Sequence, residues 1–212
     1  MSRRIVPLLA ALAALSLLAG CTRPVSHAYS GRVNAAAGSG ATAGPSITMV
    51  GTDFDVQTAG TVTQATFDAA WAGVLATLNA WLQAGVLTPL RTGGPAGDLA
   101  PLFTALAVGR VTTGPDRAAF IDEGLPPASD VRSDAAVAGL TALAGTDGTM
   151  SVVTARLDLR LRAQANGAPV TVSRSGELVL LPEGGTWRID GYDIRASRTF
   201  AGAPTTTTTA RA

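Results

Sequence analysis

The sequence predicts an α+β fold in which N-terminal helices pack on a curved, four-stranded antiparallel sheet. Apolar side chains recur at spacings of three and four between Phe67 and Leu82, which is typical of a helix with one buried face. Apolar and polar residues then alternate from Ser151 to Gln164, which is typical of a strand with one buried face. Helices followed by a run of strands indicate the α+β class.

The helical half has recognisable boundaries. Thr63 is the expected N-cap of the long helix, and Gly85 is expected to end it. Asp98 is expected to cap a shorter helix that carries Phe103. A third helix is predicted at residues 115–122, and the β-prone stretch at residues 47–56 is interpreted as an edge strand.

The second half predicts four strands joined by short turns. Asn166-Gly167 is typical of a two-residue hairpin turn. The four strands are predicted at residues 131–143, 151–164, 170–181 and 187–196. Because such a sheet is apolar on one face only, we expect that face to pack on the helices.

The closing stretch from Gly185 to Tyr192, which reads GTWRIDGY, resembles the final strand of many nuclear transport factor 2-like domains. Together with the order of elements from Thr63 to Arg198, it makes the chain similar to that cone-shaped, cystatin-like α+β family. The resemblance implies a cone that can enclose a cavity. Actinobacterial accessory lipoproteins include domains of this type.

The first residues have the parts of a bacterial export signal. Arg3 and Arg4 precede an apolar run, which ends in the small residues before Cys21. This ending resembles the lipobox of bacterial lipoproteins. The resemblance implies that the Cys21 sulfur receives a diacylglyceryl group and that the chain is cut before it. Two acyl chains, such as palmitate, would hold the protein on the cell membrane.

These features divide the chain into four parts. Residues 1–20 are the expected lipoprotein signal peptide, and residues 21–45 are an expected flexible tether rich in Gly, Ala, Ser and Thr. Residues 46–200 are expected to form a single domain. Residues 201–212 contain five consecutive threonines and are expected to be a disordered tail.

Composition excludes several kinds of chemistry. The formal charge is +1, and loss of Arg3 and Arg4 would leave the mature chain close to neutral, which gives no electrostatic case for nucleic acid. The one histidine, His27, lies in the tether, the one cysteine is Cys21, and lysine is absent. The folded region therefore lacks the residues for Cys or Ser-His catalysis and for typical zinc sites, and we expect no catalytic residues, metal or cofactor.

Two groups of charged residues remain as candidates. The carboxylates would become catalytic only if one were buried with a raised pKa. They are Asp98, Asp116, Asp122, Glu123, Asp130, Asp134, Asp158, Glu177, Asp190 and Asp193. A row of arginines is interpreted as the solvent face of the sheet, with an anionic partner as the alternative. It comprises Arg156, Arg160, Arg162, Arg174, Arg188, Arg195 and Arg198.

Three hypotheses follow for function. The first is a membrane-anchored, extracytoplasmic lipoprotein that serves as a non-enzymatic interaction or accessory module of the cell envelope, with an envelope protein as its partner. The second is a binding protein for a small apolar molecule in the cone, with Trp71, Trp81 and Phe103 as candidate ligand-lining residues. The third is a cone-fold enzyme that uses a carboxylate base.

Overall fold

A computed structural model describes residues 46–212, which form a mixed sheet of six strands covered on one face by helices. The strands lie side by side in chain order. Strand β1 pairs in parallel with β2, and every other neighbouring pair is antiparallel. The strands are β1 Val50–Thr58, β2 Ala128–Ala144, β3 Met150–Ala165, β4 Ala168–Glu183, β5 Thr186–Phe200 and β6 Thr206–Arg211.

The prediction of a four-stranded antiparallel sheet packed against N-terminal helices is wrong. The four predicted strands are present as β2 to β5, but β1 and β6 extend the sheet at its two edges. All the helices of residues 46–212 lie in the connection between β1 and β2, so the chain returns to the starting end of the sheet and the two strands run parallel. The predicted edge strand is therefore part of the same sheet.

The helical connection begins with one long helix. Helix α1, Gln64–Trp81, continues through a π-helical segment, Leu82–Leu87, into α2, Thr88–Thr92. The predicted cap is confirmed, because the Thr63 hydroxyl accepts a hydrogen bond from the Thr66 N–H at 3.1 Å. Shorter elements follow: a 3₁₀ turn at Ala100–Leu102, then α3 at Ala105–Thr112 and α4 at Arg117–Phe120.

Gly85 does not end the helix, contrary to the prediction. A Cβ atom at Gly85 would lie 2.7 Å from the carbonyl oxygen of Phe120, so this glycine permits close contact with the segment after α4. Its own carbonyl accepts a hydrogen bond from the Asp122 N–H at 3.0 Å. The helical run ends instead at Gly93, whose φ of 65° is the left-handed conformation of a helix C-terminus.

The core lies between this helical run and the inner face of the sheet. Within residues 46–212, the run from Gln64 to Thr92 is the one segment long and apolar enough to be a candidate membrane span. Leu78, Trp81, Leu82 and Val86 in that run are fully buried against the rest of the domain. This burial indicates a core helix of the domain.

The expectation that residues 201–212 are disordered is also wrong. Residues 206–211 form β6, which pairs with β5 from Arg198 opposite Thr206 to Asp193 opposite Arg211. Ala210 is buried, and the Arg211 guanidinium forms an ion pair with Asp193. Without β6, β5 would be an edge strand with unpaired backbone groups. The β-branched threonines favour extended backbone and pair with this edge.

The β5–β6 ladder predicts which backbone positions tolerate proline. The Tyr192 N–H donates to the Ala212 carbonyl at 3.0 Å, and the Ala212 N–H donates to the Tyr192 carbonyl at 2.8 Å. Hydrogen-bonded pairs alternate in an antiparallel ladder, so the Thr208 N–H faces β5 and the Thr207 N–H faces away. We expect Thr208→Pro to lower the free energy of unfolding by roughly 1–3 kcal/mol in chemical denaturation.

Thr207→Pro is the matched control and should cost clearly less, because it removes no ladder hydrogen bond. Amide hydrogen exchange of the unsubstituted chain should show protection at Thr208 and fast exchange at Thr207. Equal exchange at the two positions, together with equal stability of the two variants, would contradict the pairing of β6.

Candidate functional site

The three aromatic residues predicted to line a ligand site lie in two separate clusters. Trp71 is half-buried and stacks on Phe54 with 5.7 Å between ring centroids. Trp81 and Phe103 are buried and both contact Phe120 edge-on, at 6.1 and 5.3 Å. The Trp81 indole N–H donates to the Phe120 carbonyl at 3.1 Å. These rings are therefore occupied by contacts with other residues of the domain.

Cys21, the predicted lipid site, lies outside the described residues, as do the expected signal and tether.

The row of arginines is divided between the two faces of the sheet. Arg156, Arg160 and Arg162 are exposed on the outer face of β3. Arg174 on β4 and Arg198 on β5 lie on the inner face, which the helices cover. The interpretation of the whole row as a solvent face is therefore wrong for these two residues.

Asp122 joins the two inner-face arginines. It follows α4 and its side chain is completely buried. One carboxylate oxygen accepts from Arg174 Nη2 at 2.7 Å, and the other accepts from Arg198 Nε at 2.6 Å. Arg174 is 1% exposed, whereas the Arg198 side chain is 26% exposed. The carboxylate thus bridges two guanidinium groups on neighbouring strands.

Asp122, Arg174 and Arg198 form a triad of one carboxylate and two guanidinium groups, so positive charge is in excess. Burial lowers the pKa of Arg174; the attraction of Asp122 opposes this effect, and the nearby Arg198 adds to it. Nη1 of Arg174 donates to the Ser173 carbonyl at 2.9 Å, but its buried Nε has no acceptor among residues 46–212. One carboxylate therefore serves two cations, one of which is incompletely hydrogen-bonded.

A second ion pair lies beside the triad. Arg117 Nη2 is 2.6 Å from the Glu123 carboxylate, which also accepts from the Ala96 N–H at 2.8 Å. The hydrogen bond from Ala96, followed by that from Arg117, lowers the pKa of Glu123. Glu123 therefore stays ionised and neutralises Arg117, while the triad keeps its excess charge.

These groups surround an open cavity of about 380 Å³ between the α3–α4 region and the edge of the sheet. Arg117, Arg174 and Arg198 contribute to its wall, together with Glu123. Thr206 and Thr208 of β6 also line it, and Thr206 lies directly beside Arg198 in the sheet. We call this space the arginine cavity.

A second buried carboxylate, Asp116, lies nearby. It accepts hydrogen bonds from the Tyr192 hydroxyl and from Arg110 Nε, both at 2.7 Å. Burial, followed by the hydrogen bond to Asp116, raises the pKa of Tyr192. Arg110 Nη2 also donates to the Arg211 carbonyl at 3.1 Å, which connects this group to β6.

The two buried carboxylates of this region are already hydrogen-bonded to other side chains. Both oxygens of Asp122 already accept hydrogen bonds from cations, and one Asp116 oxygen accepts both a phenol and a guanidinium. A general base needs an oxygen that can reach a substrate proton. Residues 46–212 also contain no cluster of three or more His, Cys, Asp or Glu side chains arranged to hold a metal ion.

Comparison of the chain with protein-family models, with curated proteins and with solved structures found no match.

The alternation of side chains along β4 and β5 does predict that the two arginines lie on the inner face. On β4, Arg174 has the same parity as Val170, Val172 and Leu178, which are buried. Arg198 has the same relation to the buried Ile194 on β5. Because side chains two residues apart share a face of a strand, strict use of this period places both guanidinium groups inside.

Asp122 should be essential for stability. Asp122→Asn leaves two guanidinium groups at a buried site without their counter-charge, so we expect a loss of about 3–5 kcal/mol in the free energy of unfolding. Asp134→Asn is the matched control, because Asp134 pairs with the exposed Arg162 on the outer face. That change should cost about 0–1 kcal/mol. Similar losses for the two variants in urea denaturation would contradict the assignment.

Ionisation of Tyr192 should lower the free energy of unfolding at alkaline pH. Its pKa is raised in the folded state, so its contribution to stability is complete below the ordinary tyrosine pKa of about 10 and is lost as the pH rises through the folded-state value. Absorbance at 295 nm should show one phenol that ionises above this pH and disappears in Tyr192→Phe. Tyr29 is the one other tyrosine of the sequence, so the signal that disappears in Tyr192→Phe reports Tyr192. An ordinary pKa for that phenol would refute the buried hydrogen bond to Asp116.

Proposed function

We propose that this protein is an extracytoplasmic lipoprotein, anchored to the cell membrane at Cys21, whose folded domain is a non-enzymatic interaction module of the cell envelope. The export signal and the cysteine that ends it support the anchor. The glycine- and alanine-rich residues 21–45 would act as a tether that holds the domain away from the bilayer.

The observation that carries the interaction role is the uncovered outer face of the sheet. The side chains of Arg156, Asp158 and Arg160 project from β3 on this face and are exposed. A groove of about 630 Å³ lies on this face and is lined in part by Arg156, Asp158 and Glu177. Both signs of charge occur along it, which suits a protein partner with complementary charges better than a uniformly charged polymer.

The contacts on the inner face also favour a protein partner over an apolar ligand or a carboxylate-based reaction. Of the aromatic residues that would line an apolar ligand site, Trp81 and Phe103 both contact Phe120, and Trp71 stacks on Phe54. The two buried carboxylates are hydrogen-bonded to cations. A protein partner on the outer face requires no rearrangement of these contacts.

Site-specific photocrosslinking in native cells tests the proposal. A photoreactive amino acid at Arg160 lies at the centre of the outer face, whereas one at Ala72 lies on the exposed side of α1. We expect a discrete protein adduct from position 160 and none from position 72. Mass spectrometry of the same membrane fraction should show a mature N-terminus at a lipid-modified Cys21.

Cys21→Ser is the control for anchoring, and it should release the chain from the membrane and reduce the adduct. Adducts of equal yield from both crosslinker positions, or none from either, would count against the interaction face. An unmodified Cys21 within an uncut chain would refute the lipoprotein assignment independently.

A further inference from the structure

The arginine cavity has the properties of a binding site on the other side of the domain from the proposed interaction face. Three guanidinium groups contribute to its wall, and the two carboxylates beside them, Asp122 and Glu123, do not balance that charge. We propose that the arginine cavity binds the phosphate group of a small molecule or lipid headgroup. This site is separate from the outer face and does not depend on the function proposed above.

The triad supplies fixed positive charge. Arg174 is almost completely buried, and its Nε lacks an acceptor within the described residues. Arg198 uses Nε for Asp122 and Nη2 for a long contact with the Ile121 carbonyl, and no hydrogen bond within residues 46–212 involves its Nη1. Because the side chain is partly exposed at the cavity, this nitrogen can donate to an anion.

Arg117 and β6 supply donors around the same space. The Arg117 side chain is 39% exposed, and its two bonded nitrogens contact the Thr112 carbonyl and Glu123, which leaves Nε for a ligand. Thr206 and Thr208 lie on the same side of β6 as the buried Ala210. Within residues 46–212 the hydroxyls of Thr206 and Thr208 make no hydrogen bond, so both can donate to an anion.

This donor set fits phosphate better than carboxylate. A phosphate group presents three or four acceptor oxygens, which arginine forks and hydroxyl groups on several sides can satisfy together. The cavity volume of about 380 Å³ exceeds the need of a free ion and lies within the usual range for small-molecule sites. One oxygen of the Glu123 carboxylate in the wall accepts hydrogen bonds from the Ala96 N–H and from Arg117, which offsets part of its repulsion of a bound anion.

The test uses the Cys21→Ser chain with inorganic phosphate and glycerol 3-phosphate as soluble probes. Two-dimensional ¹H–¹⁵N NMR of arginine Nε–H groups should show saturable shifts of Arg117, Arg174 and Arg198, with the outer-face Arg162 unchanged. Sodium chloride and acetate at the same ionic strength should not reproduce these shifts. Equal shifts with acetate would overturn the assignment to phosphate.

Two pairs of variants locate the binding. Arg117→Gln should weaken phosphate binding roughly tenfold, whereas Arg162→Gln, which removes an equal charge on the outer face, should leave it unchanged. Thr208→Val keeps the shape of the side chain and removes its hydroxyl, so it should weaken binding roughly threefold or more. Thr207→Val on the opposite side of β6 should have no effect. Equal affinities within both pairs would overturn the proposal.

Vesicles distinguish the source of the phosphate. Binding of the Cys21→Ser chain to phosphatidylglycerol vesicles that depends on Arg117 and Thr208, without binding of the soluble probes, assigns the site to a lipid headgroup. Binding of the soluble probes assigns it to a small molecule. Absence of both would overturn the proposal while leaving the crosslinking result on the outer face unaffected.

Discussion

The contact of Asp122 with Arg174 and Arg198 is the interaction on which the two halves of the domain depend. Asp122 belongs to the helical connection, whereas the arginines belong to neighbouring strands of the sheet. The carboxylate is fully buried, so its charge is tolerated only while both oxygens are hydrogen-bonded to cations. These ion pairs, as well as apolar packing, therefore fix the position of the segment after α4 over the sheet.

The long helix is built to permit this contact. Gly85 has no side chain, which lets the segment that carries Asp122 lie against the helix, and its carbonyl accepts the Asp122 N–H. Pro89, four residues later, has no N–H to donate to that carbonyl in the α-helical pattern. The π-helical segment over residues 82–87 widens the helix at the same place. A local interruption of helical hydrogen bonding thus anchors the carboxylate that the two sheet arginines share.

Sequence periodicity correctly predicted the elements whose pattern depends only on neighbouring residues. The alternation on β3 and the Asn166-Gly167 turn, where both residues have positive φ, are local signals, and the elements they predicted are confirmed. The parallel pairing of β1 and the edge strand β6 depend on distant partners, which a local pattern does not contain. Arg174 departs from the prediction for a different reason: arginine as a residue type favours solvent, whereas this position in the strand points inward.

Stability alone does not account for an inner-face ion cluster. Well-packed apolar side chains of similar volume commonly hold such a site as well as buried ions do, or better. A fold optimised only for stability would also match each buried cation with its own carboxylate, whereas here Asp122 is shared and Arg174 keeps an unsatisfied N–H. An anion in the arginine cavity would supply the missing negative charge and an acceptor for the partly exposed Arg198. The folded state would then gain stability in proportion to the logarithm of ligand concentration above its Kd. Because β6 forms part of the cavity wall, a bound anion would also stabilise the attachment of β6 to the sheet.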